Sequence, residues 1–158
     1  MQTGGSWKHW LEKHGIWVLL AVVLVVSAAL RLYDVEWDGG IMAHPDERST
    51  VAFYAPTIHW PSSLSEALDP HRSPLNPFWD TNGQHRRSYT FGHFPLYLLV
   101  IVGGLLRALA PLAQHLSAPV PLVEFLLGAD SASGFLVIGR TLTGLFDVGS
   151  VFLVFLIG

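Results

Sequence analysis

The run Gly15-Ile16-Trp17-Val18-Leu19-Leu20-Ala21-Val22-Val23-Leu24-Val25-Val26-Ser27-Ala28-Ala29-Leu30-Arg31-Leu32-Tyr33 decides the fold of this chain. It carries no charge until Arg31. A helix needs about 20 mostly apolar residues to cross a hydrocarbon layer of about 30 Å, and this run supplies them. Lys8 and Lys13 precede it, and Trp7, Trp10, Trp17, Tyr33 and Trp37 stand near its ends, where amphipathic rings favour the membrane interface. A cleavable signal peptide is the rival reading. The run is long for the apolar part of such a peptide, and Leu30-Arg31-Leu32-Tyr33 lacks the small residues a peptidase requires, so it reads as an uncleaved anchor. Residues 1–14 are then a cytoplasmic N-terminus and 15–33 the first transmembrane helix.

Two further apolar blocks follow. The second, 91–113, has Pro95 near its start, where a missing N–H costs little, and Arg107 placed to snorkel near its other end. The connection 114–134 contains Ala118-Pro119-Val120-Pro121 and then Leu122 to Leu127, a segment too short to cross and read as interfacial. The third, 135–158, is still apolar at Val151-Phe152-Leu153-Val154-Phe155-Leu156-Ile157. We expect the front of a longer protein, whose remaining transmembrane helices, or a membrane complex, would be its partners.

Composition agrees with this reading. Hydrophobic residues make up 51% of the chain and charged ones 13%, against about 25% charged in soluble domains. The expected class is an all-α, multi-pass membrane protein of the plasma (inner) membrane, with membrane lipid as its first partner. A net charge of −3 and the lack of any Lys/Arg-rich run argue against nucleic acid as a partner. The absence of cysteine excludes disulfides and thiolate metal sites. No internal repeat, Gly-rich phosphate loop or paired-histidine zinc helix is present.

Chemistry is expected in the polar loop 34–90, which holds eight acidic and four basic residues. Lys8 and Lys13 ahead of the first span place this loop on the extracytoplasmic side. Within it, 45–54 reads as a short helix, with Pro45 at its first position and Pro56 ending it. Asp46 and Glu47 then occupy the first turn, and two readings stand. Acidic residues there complement the helix dipole, worth about 0.3 to 1 kcal/mol each. Alternatively, one carboxylate is a general base that takes the proton of an attacking hydroxyl. Neighbours on a helix point about 100° apart, so only one of the two can be that base.

His44, His59, His71, His85 and His93 lie in or beside the loop and, with Asp46, offer nitrogen and oxygen ligands for a divalent metal ion. Asp46 and His44 are the metal candidates, although the spacing matches no ligand signature. Hydrogen-bonded loop histidines are the alternative. Arg72, Arg86 and Arg87 would hold a phosphate by charge-assisted hydrogen bonds, or sit among lipid headgroups, the reading favoured for Arg86 and Arg87. Arg140 and Asp147 share a helix face with Gly144, whose small size would admit a neighbouring helix. They are either functional polar residues within a span or residues of the interface.

The order of these features carries a resemblance. An N-terminal span is followed by Trp37-Asp38 and His44-Pro45-Asp46-Glu47-Arg48, then by Arg72-Ser73-Pro74-Leu75-Asn76-Pro77. A second span opens at Phe94-Pro95-Leu96-Tyr97, and a third carries Gly139-Arg140-Thr141-Leu142-Thr143-Gly144-Leu145-Phe146-Asp147. Over most of 16–158 this resembles the start of the GT-C polytopic glycosyltransferases. The likeness is to the glycosyltransferase family 39 group, which includes protein mannosyltransferases and the aminoarabinose transferase of lipid A, and within it to large bacterial members. The resemblance implies an acidic pair in the first extracytoplasmic loop and a sugar donor carried on polyprenyl phosphate. Asp46 would be the catalytic base and Glu47 its neighbour in acceptor or metal binding. Arg48, His44, Arg72, His93 and Arg140 would contact substrate, and a divalent metal ion is the one cofactor to consider. The rivals are a non-catalytic transmembrane subunit of a larger assembly and a transporter with a polar pathway at Arg140 and Asp147.

Overall fold

A computed structural model describes residues 6–158, with side chains from Lys13 onward. Residues 1–5 of the expected cytoplasmic N-terminus, and the side chains of Trp7, Lys8 and Trp10, lie outside the described residues. Among the described residues the chain is all-helical, with no strand and one isolated antiparallel bridge between Trp79 and Arg86. The helices are α1 (Ser6–Leu32), α2 (Pro45–Arg48), α3 (Leu64–Ala67), α4 (His93–Ala108), α5 (Ala110–His115), α6 (Val120–Leu127) and α7 (Ala132–Ile157). Three helical segments are long and apolar enough to cross a membrane: Lys13–Leu32, His93–His115 and Ala132–Ile157. At about 1.5 Å per residue, the 27 residues of α1 extend about 40 Å and the 26 of α7 about 39 Å, each longer than a hydrocarbon layer of about 30 Å.

The second apolar block is not one unbroken helix. Pro111 has no N–H to give the Arg107 carbonyl, and its ring crowds that turn. The ladder accordingly tightens at Leu109, whose N–H donates to Leu106 O at 3.0 Å, before α5 resumes.

The chain divides into two compact units, one formed by the chain up to Val35 together with Arg140–Gly158, the other by Glu36–Gly139. In the first unit α1 packs on the C-terminal part of α7. A Cβ on Gly144 would lie 3.0 Å from Leu32 Cδ2 and 3.5 Å from Arg31 Cβ, so the missing side chain is what admits α1. Around that contact Arg31 Nε donates to Asp147 Oδ2 at 2.9 Å, Arg31 NH1 to Ser27 Oγ at 2.8 Å, and Arg140 NH1 to Val35 O at 2.7 Å. At the other end Trp17 meets Phe155 edge-on, with centroids 5.4 Å apart. The helices therefore run antiparallel.

In the second unit the core forms where α4 meets α6 and the first turns of α7. Leu96, Leu99, Leu126, Ala129, Phe135 and Leu136 are buried there. Gly103 sets the approach, since a Cβ on it would stand 2.6 Å from Phe135 Cε1 and 2.9 Å from Ala129 O. Arg107, near the end of this segment, donates to Leu127 O at 2.9 Å and Asp130 Oδ1 at 2.7 Å, which closes the end of α6.

Candidate functional site

The acidic pair is presented by a turn that the Asp38 side chain organises. Asp38 Oδ1 accepts from Gly40 N at 3.1 Å and Oδ2 from Ala43 N at 3.0 Å. Gly39 and Gly40, with φ of 61° and 79°, take the left-handed conformation that this reversal needs. Met42 adopts it too, at φ 53°, a conformation that costs a side-chain-bearing residue about 1 to 2 kcal/mol and that the Asp38 bonds on either side offset. The backbone then straightens at His44 and enters α2 through Pro45, whose fixed φ suits a first helical position. Arg48 N donates to His44 O at 3.0 Å and closes the turn. Asp46, His44 and Arg48 are exposed, while Glu47 is half-buried.

The helix expected over 45–54 is present, but only its first turn is α-helical. Ser49–Tyr54 widens into a π-helix, in which Ala55 N–H reaches Thr50 O, and Ala55–Thr57 ends the path as a 3₁₀ turn containing Pro56. Val51 and Tyr54 are buried on this segment while Asp46 stays in the open.

Three tyrosines brace this segment. Tyr54 OH donates to Ser88 O at 2.8 Å and its ring meets Tyr89 edge-on at 4.8 Å. Tyr89 OH donates to Gly92 O at 3.0 Å, and Tyr97 OH, from α4, donates to Leu75 O at 2.6 Å. Burial, with smaller contributions from Tyr97 and Tyr54, pushes the Tyr89 phenol above its ordinary pKa, so it stays neutral and able to donate. Arg87 NH1 donates to Thr57 Oγ1 at 3.0 Å, and Thr57 Oγ1 donates to Tyr54 O at 2.8 Å. Arg87 thus ties the loop together, a role its place beside a span did not suggest, whereas Arg86 is exposed.

The remaining expected site residues are dispersed. His93 sits among rings, with centroids 5.2 Å from Phe78, 5.8 Å from Tyr89 and 5.8 Å from Tyr97. Arg72 is exposed, its N–H on Asp69 Oδ1 at 2.9 Å and its stem over Gly83, where a Cβ would come within 2.7 Å of its Cγ. Arg140 belongs to the first unit, on the Val35 carbonyl. Among the described residues no group of three or more His, Asp and Glu side chains is placed to hold a metal ion. Among the described residues Asp46 and His44 alone fall short of the donor set a divalent cation needs, so these residues do not fit that group.

No family model, curated protein or solved structure matches this chain. The site therefore rests on its geometry. That geometry is a short helix with an acidic first turn, one carboxylate exposed, held by an Asp38 turn on one side and a tyrosine brace on the other. Sequence reasoning overlooked Asp38 and Tyr54 as positioning residues. The signal for Asp38 was its place ahead of Gly39-Gly40, a pattern in which an aspartate caps the following backbone. Tyr54 bonds across 34 residues and leaves no local trace.

Proposed function

We propose that this chain is the opening part of a GT-C-type membrane glycosyltransferase, which moves a sugar from a polyprenyl-phosphate carrier to an acceptor hydroxyl at the extracytoplasmic face. Asp46 is its general base. The exposure of Asp46 at the first turn of a braced helix supports this most directly, since a base must meet its hydroxyl at about 2.6 to 3.2 Å. The acceptor O–H proton passes to the Asp46 carboxylate as the acceptor oxygen bonds to the anomeric carbon. The bond from that carbon to the carrier phosphate breaks, its electron pair leaves with polyprenyl phosphate, and the configuration inverts.

The donor's lipid stays in the bilayer while its headgroup meets the loop, so catalysis is mostly a matter of positioning. His44 and Arg48, exposed on the same short segment, are the first substrate contacts in this reading. Arg72 and His93 are further contacts that the resemblance implies. A transfer assay with membranes containing the full-length protein and a set of radiolabelled polyprenyl-phosphate sugars tests the proposal. Label should move to an acceptor and inert carrier phosphate should accumulate. Failure of transfer from every donor, with the protein folded in the membrane, would contradict it.

A further inference from the structure

The loop also turns an apolar feature outward, away from the acidic turn in sequence. Trp60 is 82% exposed, Leu64 75% and Leu68 73%, a concentration of apolar surface that water alone does not favour. Leu64 and Leu68 share one face, because Leu68 N–H donates to Leu64 O at 3.1 Å across the single turn of α3. The turn is fixed at its start. Ser63 Oγ accepts from Glu66 N at 3.2 Å, and Glu66 Oε2 accepts from both Ser62 N and Ser62 Oγ at 2.6 Å. This is a variant of the capping box, and it engages the only charged group between Trp60 and Leu68. The hydrogen bonds from Ser62 hold the Glu66 carboxyl below its ordinary pKa.

The same loop is fastened to the beginning of α4. The 3₁₀ turn Ala55–Thr57 packs on α4, Ile58 just after it is buried, His59 N–H donates to Pro74 O at 3.3 Å, and Tyr97 OH donates to Leu75 O at 2.6 Å. Trp60 therefore follows directly on a segment fastened to the first turns of the helix that opens the second membrane-length segment. There Phe94 is 69% exposed, and the apolar surface continues along α4 through Ile101 and Leu105. A lipid-facing helix brings headgroups and the upper acyl chains to its end, and Trp is the residue most at home at that depth.

We propose that Trp60, Leu64 and Leu68 form a docking surface for the bilayer interface, seating the loop on lipid beside the start of α4. Lipid is favoured over a protein partner because the segment leading to Trp60 is fastened to the first turns of an apolar helix of membrane length, and the one charge between Trp60 and Leu68, Glu66, is engaged by Ser62. The proposal does not depend on the chemistry assigned to Asp46.

The chain contains no cysteine, so single cysteines need no background removed. Trp60→Cys, Leu64→Cys, Leu68→Cys and, as a control, Ser65→Cys would each be spin-labelled in the full chain reconstituted in phosphatidylcholine vesicles. Collisions with oxygen, which partitions into lipid, are then compared with those of a water-soluble nickel chelate. The oxygen-to-nickel ratio should be severalfold higher at 60, 64 and 68 than at 65. Equal ratios would place the surface in water and overturn the proposal. Immobile labels shielded from both reagents would show a protein partner in place of lipid, and would overturn it too.

Discussion

Arg31 Nε lies 2.9 Å from Asp147 Oδ2, an ion pair between residues 116 positions apart that joins the end of α1 to the middle of α7. The two side chains are 39% and 57% exposed, so the pair is an interhelical polar contact and not a buried charge pair. Such contacts in membranes average about 0.6 kcal/mol and reach about 1.7. A double-mutant cycle with Arg31→Leu and Asp147→Leu, read by thermal unfolding in bicelles, should give a coupling in that range. Additive effects would show that the pair contributes nothing.

The direction of that contact can be read by cross-linking. Trp17 meets Phe155 while Arg31 meets Asp147, so α1 and α7 run antiparallel. Trp17→Cys paired with Phe155→Cys should cross-link readily, and Trp17→Cys paired with Asp147→Cys should not. The reverse pattern would contradict the antiparallel pair.

Gly103 and Gly104 are neighbours in α4 with opposite surroundings. A Cβ on Gly103 meets Phe135 at 2.6 Å and Ala129 O at 2.9 Å, whereas one on Gly104 meets nothing within 4 Å. Gly104→Ala should stabilise by up to about 1 kcal/mol through helix propensity. Gly103→Ala should destabilise by about 1 to 3 kcal/mol, because backbone cannot give way as a flexible side chain would. Denaturation midpoints of the two variants, measured side by side, check the contrast.

The spans were legible because a stretch such as Val18 to Val26 has one physical solution in lipid, a helix with its backbone bonds satisfied internally. Gly144 was legible for a related reason, since a small residue between Arg140 and Asp147 marks a close approach. The identity of its neighbour, α1, and the head-to-tail direction were not, because nothing in the order of three apolar blocks says which of them touch. In the loop, Pro45 and Pro56 marked where the short helix begins and ends. The change to π-helical pitch at Ser49 leaves no mark in the local spacing. The break at Leu109 was open to view in Pro111 and followed from the rule already applied at Pro56.

Asp80 organises a second turn, between the bridged residues Trp79 and Arg86. Its carboxylate accepts from Gln84 N at 2.7 Å and meets His85 Nδ1 at 3.0 Å. Desolvation pushes its pKa up, but hydrogen bonds from Gln84 and His85 outweigh this and hold it at about 2, below the ordinary 3.8. A depressed folded pKa contributes stability that is present above the unfolded value and is lost as pH falls through the folded one. Amide exchange at residues 80–85, corrected for intrinsic rates, should therefore stay slow at pH 5 and accelerate between about pH 4 and pH 2. Asp80→Asn should remove that dependence; an unchanged profile in the variant would show that another group is responsible.

The central claim concerns Asp46, and one substitution separates its two readings. Asp46→Asn keeps size and hydrogen bonding but removes the charge. If the carboxylate only complements the dipole of α2, the change costs about 0.3 to 1 kcal/mol of local stability and transfer survives. If it is the general base, turnover of the full-length protein should fall by about 10² to 10⁴ with expression and donor binding nearly intact. Glu47→Gln removes an equal charge one position away and should leave turnover far less affected. Steady-state transfer rates for the two variants, measured together with the wild type, are the decisive comparison: the account predicts a large loss confined to Asp46→Asn, and wild-type turnover in that variant beside a folded Glu47→Gln control would contradict it.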